Sequence, residues 1–138
     1  MSVLAPSVAH AEWVTVWVDD TKDRSGWYNN WLVDVESLIG KDQTRRAWVV
    51  INMRTDAKVS SGNRRSMRML WHIDCAEQRF RRLSFSAHRG AMGNGRVIAS
   101  DDRETDWDYA PPGTGTEATI KFACSVEADA KPRQPPQN

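Results

Sequence analysis

Three polar side chains are spaced to do chemistry together: His72, Asp74 and, further along, His88. On a β-strand, residues two apart project from the same face. His72 and Asp74 therefore share a face if their stretch is extended, and His88 can join them from a paired strand. An imidazole beside a carboxylate can relay a proton, and two imidazoles with a carboxylate can ligate zinc. That reading makes the protein a metal-dependent enzyme. The competing reading is the exposed polar face of a sheet, and the rest of the chain favours it. There is no Gly-x-Ser-x-Gly, no His-Glu-x-x-His and no phosphate loop. We assign no catalytic, cofactor-binding or metal-binding residue.

The remaining reactive groups are Cys75 and Cys124. In an exported protein two cysteines pair as a rule; in a reducing compartment they would be two buried thiols. A bond between them would close a loop of 49 positions, worth roughly 4 kcal/mol in the chain-entropy model. The N-terminal segment argues for export. Ala9 and Ala11 precede Glu12 in the small-x-small pattern of a signal-peptidase site. Residues 1–11 are short for a full signal peptide and read as its remnant, with a mature start near Glu12.

The elements that must position these groups are strands. Met67–Cys75 alternates: Met67, Met69, Trp71, Ile73 and Cys75 fall on one face, Arg68, His72 and Asp74 on the other. That period of two marks a half-buried strand. Thr44–Met53 alternates likewise and is rich in β-branched and aromatic residues. Arg79–His88 sets Leu83, Phe85 and Ala87 against Arg82, Ser84 and Ser86; the short turn Ala76–Gln78 makes it the hairpin partner of Met67–Cys75. Glu12–Asp20, Trp27–Val33 and Arg96–Ser100 complete six strands. In the first, Trp13 and Trp17 share a face and are the tryptophans best placed to stack on a sugar. Asp34–Ile39 fits a short helical turn ended by Gly40, and Gly90–Gly95 is a glycine-rich turn suited to positive φ. Thr114–Val126 carries conflicting signals. Ala118, Ile120, Phe122, Cys124 and Val126 alternate as in a strand, while Thr114-x-x-Glu117 after Pro-Pro-Gly is a helix entry. Residues 127–138, with three prolines and no apolar anchor, read as a disordered tail.

Strand following strand at hairpin spacing indicates one antiparallel domain over residues 12–126, all-β or α+β. Forty per cent hydrophobic residues, seven of all 138 being tryptophan, can build its core. Nineteen basic against 18 acidic residues leave a net charge of +1, which makes no case for nucleic acid or an anionic membrane. No apolar run reaches the length of a membrane helix.

Several landmarks fall in a recognisable order: Trp71-His72-Ile73-Asp74-Cys75, Arg79-Phe80-Arg81-Arg82-Leu83-Ser84, Met92-Gly93-Asn94-Gly95-Arg96-Val97-Ile98, Trp107, Pro112-Gly113-Thr114 and Cys124, with the tryptophan-bearing strand Arg46–Ile51 upstream. From Trp13 to Cys124 the chain resembles the bacterial surface-adhesin protein E family. The resemblance implies an α+β fold: a curved, about six-stranded antiparallel sheet, a C-terminal helix over roughly Thr116–Ser125 on its concave face, and a Cys75–Cys124 disulfide tying the two. It also implies a surface-exposed or secreted protein that binds host matrix or plasma proteins such as laminin, vitronectin and plasminogen, and that can form a homodimer. The absence of a cysteine at the mature start departs from members anchored by lipid.

Eight arginines lie between positions 64 and 96, against only Asp74 and Glu77. By parity, Arg68 and Arg82 face away from the helix side, whereas Arg79 and Arg81 face it. Arg64, Arg65, Arg68, Arg82 and Arg89 form the candidate partner-binding set, a cationic sheet face for an acidic macromolecule. The expectation is an exported, non-enzymatic binding protein without a cofactor, in the periplasm, secreted or at the cell surface. The alternative is a periplasmic structural or envelope accessory protein with no host ligand.

Overall fold

The computed structural model describes residues 11–18, 29–53 and 65–127. Residues 1–10, 19–28, 54–64 and 128–138, on which fall most of the expected signal-peptide remnant, the expected turn after the first strand with the start of the second, and the expected tail, lie outside the described residues.

Six strands follow one another in an antiparallel meander: β1 (Trp13–Val18), β2 (Asn29–Asp34), β4 (Thr44–Met53), β5 (Ser66–Asp74), β6 (Arg79–His88) and β7 (Val97–Asp101). Two short strands, β3 (Ile39–Lys41) and β8 (Asp108–Tyr109), add to β4 and β6. The α-helix α1 (Gly115–Ser125) follows. The sheet is curved, and α1 lies on its concave side against β1, β2 and β4.

The core forms where the alternating residues of β4 and β5 meet the helix. Ala47, Val49, Ile51, Met69, Trp71 and Ile73 are buried against Ile120 and Ala123. Trp71 stacks on Phe80 with centroids 4.4 Å apart and meets Trp31 edge-on at 6.1 Å. Among the described residues its Nε1 has no hydrogen-bond acceptor, and aromatic π faces are the electron-rich surfaces around it. Gly115 lets the helix start this close: a Cβ there would lie 2.6 Å from the Trp31 ring.

The conflict over Thr114–Val126 resolves as helix because the entry is chemically complete. Thr114 Oγ1 accepts from Glu117 N at 3.2 Å and donates to Pro111 O at 2.7 Å, and the Glu117 carboxylate accepts from Gly113 N at 3.3 Å. The buried Thr119 hydroxyl returns to Gly115 O at 2.8 Å, so its polar atom costs little. The other end is held twice. Cys75 and Cys124 form a disulfide. Arg45, only 6% exposed, sends Nη2 to Val126 O at 2.9 Å and Nη1 to Asp42 O and Thr44 O at 2.9 and 2.7 Å.

The expected helical turn at Asp34–Ile39 does not form. The Asp34 carboxylate instead accepts from Glu12 N, Glu36 N and Ser37 Oγ, which fixes a bend. Ile39–Lys41 then pairs with Thr44–Arg46. Ladder bonds to β4 outweigh the weak helical spacing of Val35, Leu38 and Ile39.

Candidate binding surface

Residues directly opposite in an antiparallel ladder share a face. On the convex side this gives five rows across β4, β5 and β6: Thr44–Asp74–Arg79, Arg46–His72–Arg81, Trp48–Leu70–Ser84, Val50–Arg68–Ser86 and Asn52–Ser66–His88.

The register separates the proposed trio. His72 lies opposite Arg81, whereas His88 lies opposite Ser66, six residues further along β5, or about 20 Å. His88 is buried, and its Nε2 lies 2.7 Å from Ser86 Oγ. Among the described residues no group of three or more His, Cys, Asp or Glu is placed to hold a metal ion.

Two β-bulges overturn expectations based on parity. In β6 the pairing shifts between Leu70–Ser84 and Trp71–Arg82, so Leu83 is the extra residue. A bulge reverses the alternation downstream of it. Arg82 therefore projects to the concave side, opposite Trp71, with its guanidinium 4.8 Å from the Phe85 ring centroid. Arg79 and Arg81, expected on that side, are convex instead. In β1 the pairing shifts between Thr15 and Trp17. Trp17 then lies opposite Trp31 on the helix side, and Trp13 and Trp17 do not share a face.

The other residues of the candidate set gather where β5 starts and β6 ends, except Arg64, which lies outside the described residues. Arg65 and Arg89 are exposed. Their backbone N–H groups donate to His88 O at 2.9 Å and Arg96 O at 3.0 Å, which brings Arg65, Arg89 and the exposed Arg96 to one end of the sheet. Arg68, also exposed, lies over the Trp48 ring at 5.7 Å and against Gly93. The turn Gly90–Gly95 folds over this end. Met92 N donates to Asn52 Oδ1 at 2.8 Å, and Gly93 N to Ser66 Oγ at 2.9 Å. Gly93, at φ +73°, takes the left-handed conformation this approach requires. The turn bonds to Asn52 and Ser66, and Val50, Ser66 and His88 in these rows are buried.

At the opposite end stands a cluster the sequence did not announce. Trp107 has the Arg79 and Arg81 guanidiniums 4.7 and 4.8 Å from its ring centroid, and the His72 ring at 5.1 Å. Arg79 Nε donates to Asp74 at 3.0 Å, Arg81 Nε donates to His72 Nδ1 at 3.2 Å, and Arg81 Nη1 lies 3.6 Å from Glu104. As an acceptor, His72 Nδ1 is unprotonated, and the ring proton sits on Nε2. Burial holds the His72 pKa below its ordinary value, with Arg81 and Arg46 adding repulsion against Glu104 and Asp74. Burial alone would raise the Asp74 carboxyl; hydrogen bonds from Glu77 N, Arg79 and Ala76 N outweigh it and leave it lowered. Arg46 has the parity of Trp48 and was legible as a convex residue. Trp107 arrives on a loop without periodicity, and no local signal places it.

The family model for surface-adhesin protein E matches residues 13–125. Solved structures of Haemophilus influenzae protein E share the fold. Crystal form II superposes with a TM-score of 0.58 at 14% identity, covering 91% of this chain and 96% of that one. The selenomethionine form gives 0.57 at 16%, covering 91% and 95%. The protein E of non-typeable Haemophilus influenzae gives 0.56 at 14%, covering 91% and 83%. No curated protein sequence matches the chain. With the model spanning β1 through α1, the chain belongs to the surface-adhesin protein E family.

Proposed function

We infer that this is an exported, non-enzymatic binding protein whose sheet presents arginines to a macromolecular partner, a host matrix or plasma protein or an envelope component. The single observation that carries this reading is the convergence of exposed Arg65, Arg89 and Arg96 on one end of the sheet, beside exposed Arg68. Arg64 adjoins them in sequence. Arg82 leaves the set, because its guanidinium lies on the concave side. Family membership and the disulfide support an extracytoplasmic location at the cell surface, secreted or in the periplasm. Among the described residues no helix is long and apolar enough to cross a membrane.

Reversal of Arg65 and Arg89 to Glu tests the reading. Capture of partners from matrix and envelope fractions should fall, and more at low than at high salt. Undiminished capture would remove the arginine end from the function. One observation favours the envelope-accessory reading. Arg68 lies over Trp48 and against Gly93, so it serves the fold as well as any partner. Protease treatment of intact cells separates the readings: cleavage supports adhesion, and full protection supports a periplasmic role.

A further inference from the structure

At the Trp107 end, exposed Ile39 extends the Arg46–His72–Arg81 row and exposed Tyr109 extends the adjoining Thr44–Asp74–Arg79 row. Ile39 lies opposite Arg46 and is 49% exposed, and Tyr109 lies opposite Arg79 and is 58% exposed. Arg46 and Arg81 flank β5 on its two neighbouring strands, about 10 Å apart across the sheet. Arg46 is exposed and has no ion-pair partner among the described residues. The acidic partner of Arg81, Glu104, is exposed and 3.6 Å away, a weak contact that a stronger anion displaces. Exposed Lys41 lies in the adjoining row.

We propose that the Arg46–His72–Arg81 row, with Ile39 and Tyr109 as flanking platforms, is a binding site for an acidic glycan bearing sulfate or carboxylate groups. The proposal rests on the reading of the chain as a binding protein and adds a second surface to it, at the end of the sheet opposite Arg65 and Arg89. Three features carry it. The Arg81 guanidinium is held 4.8 Å from the Trp107 centroid with Nε on His72, which leaves its two Nη groups to take an anion once Glu104 is displaced. Sugar rings need exposed aromatic or aliphatic platforms rather than a deep pocket. The backbone of β5 is already paired on both sides, so this central face offers a peptide no ladder to join.

His72 makes the site report its own occupancy. Facing it are Arg46 from β4, Arg81 from β6, Asp74 from β5, Glu104 and Trp107. Without ligand, burial and repulsion from Arg81 and Arg46 hold its pKa below the ordinary value. An anion laid across the row cancels that repulsion and draws Arg81 Nε–H away from His72 Nδ1, so binding lets a proton onto Nδ1, and affinity rises as pH falls.

The test uses dextran sulfate, with dextran and polyglutamate as controls, at fixed ionic strength. Wild-type protein should bind dextran sulfate and not dextran. Arg46→Gln with Arg81→Gln should weaken binding about tenfold or more, while Arg65→Gln with Arg89→Gln should change it less than about twofold. Affinity should rise between pH of about 7.5 and about 5.5, and His72→Gln should flatten that profile. Because Arg81 also braces Trp107, the second measurement uses unmutated protein: the His72 ring resonances should shift on addition of dextran sulfate and titrate at higher pH. Unmoved His72 resonances, loss carried by Arg65 and Arg89, or equal affinity for polyglutamate would each overturn the proposal. Failure here with partner capture intact removes the glycan site alone; failure of both removes the binding-protein reading with it.

Discussion

At the scale of the residue, Arg45 shows how a charge can serve the core. Its guanidinium is buried and satisfies the carbonyls of Asp42, Thr44 and Val126, joining the β3–β4 hairpin to the end of α1. Arg45→Ala leaves those acceptors without their charged donor, and each charge-assisted bond contributes about 1.5–3 kcal/mol. The expected loss is about 3 kcal/mol, read as a lowered urea midpoint with an unchanged slope. Arg45→Lys should recover only part of it, because a point charge cannot reproduce a three-way fork. A midpoint equal to wild type would show that the contact is incidental. Arg45 was legible in principle, since it shares parity with Ala47, Val49 and Ile51. An arginine at a strand start reads as polar punctuation unless that parity is followed. The same rule failed for Arg82 and Trp17, since alternation carries no mark of where a bulge inserts a residue.

At the scale of the element, α1 is a short helix fixed at both ends. Eleven residues are marginal as an isolated helix, so its stability comes from the cap, the disulfide and the sheet. Thr114→Ala removes an acceptor for Glu117 N and should cost about 1 kcal/mol, measurable as a lower Tm. Cys75→Ser opens a loop spanning 49 positions and should cost roughly 4 kcal/mol under oxidising conditions. Reduction of the wild type should reproduce that loss, and amide exchange should rise first in the last turns of α1. An unchanged Tm in Cys75→Ser would contradict the tie. The strands β4 and β6 are legible to the residue, because their apolar pattern sets their length. The helix was not, because its local signals conflict: alternation of Ala118, Ile120, Phe122 and Cys124 says strand, while Thr114 and Glu117 say helix. Capping chemistry decided for helix, because Thr114 and Glu117 meet the first backbone N–H groups that would otherwise be orphaned.

At the scale of the whole molecule, the nearly neutral total charge is laid out with arginines at two ends of one sheet, separated by the Trp48–Leu70–Ser84 row. Their arginines were visible in the sequence; their division was not, because it follows from a bulge and from a tryptophan delivered by a loop. The Trp107 end also sets how stability responds to acid. His72 has a folded pKa below its ordinary 6.5, so below that value the unfolded chain takes up a proton more readily than the folded one. The contribution from keeping His72 neutral is complete above the ordinary value and is lost as pH falls through the lowered folded one. Asp74 has a folded pKa below its ordinary 3.8; its contribution is likewise present above that value and lost as pH falls through the folded one. Two successive declines in stability are therefore expected on acidification, the first beginning near the histidine value and the second near the carboxylate value. Denaturant midpoints measured against pH resolve them. His72→Gln should erase the first decline and leave the second, and Asp74→Asn should leave the first and reduce the second, to which Asp101 beside Arg103 also contributes. A first decline that survives His72→Gln would assign it to another group and release His72 from the cluster. If it disappears in His72→Gln and shrinks when dextran sulfate is present, one imidazole accounts for both the acid sensitivity of the fold and the pH dependence of the proposed glycan site.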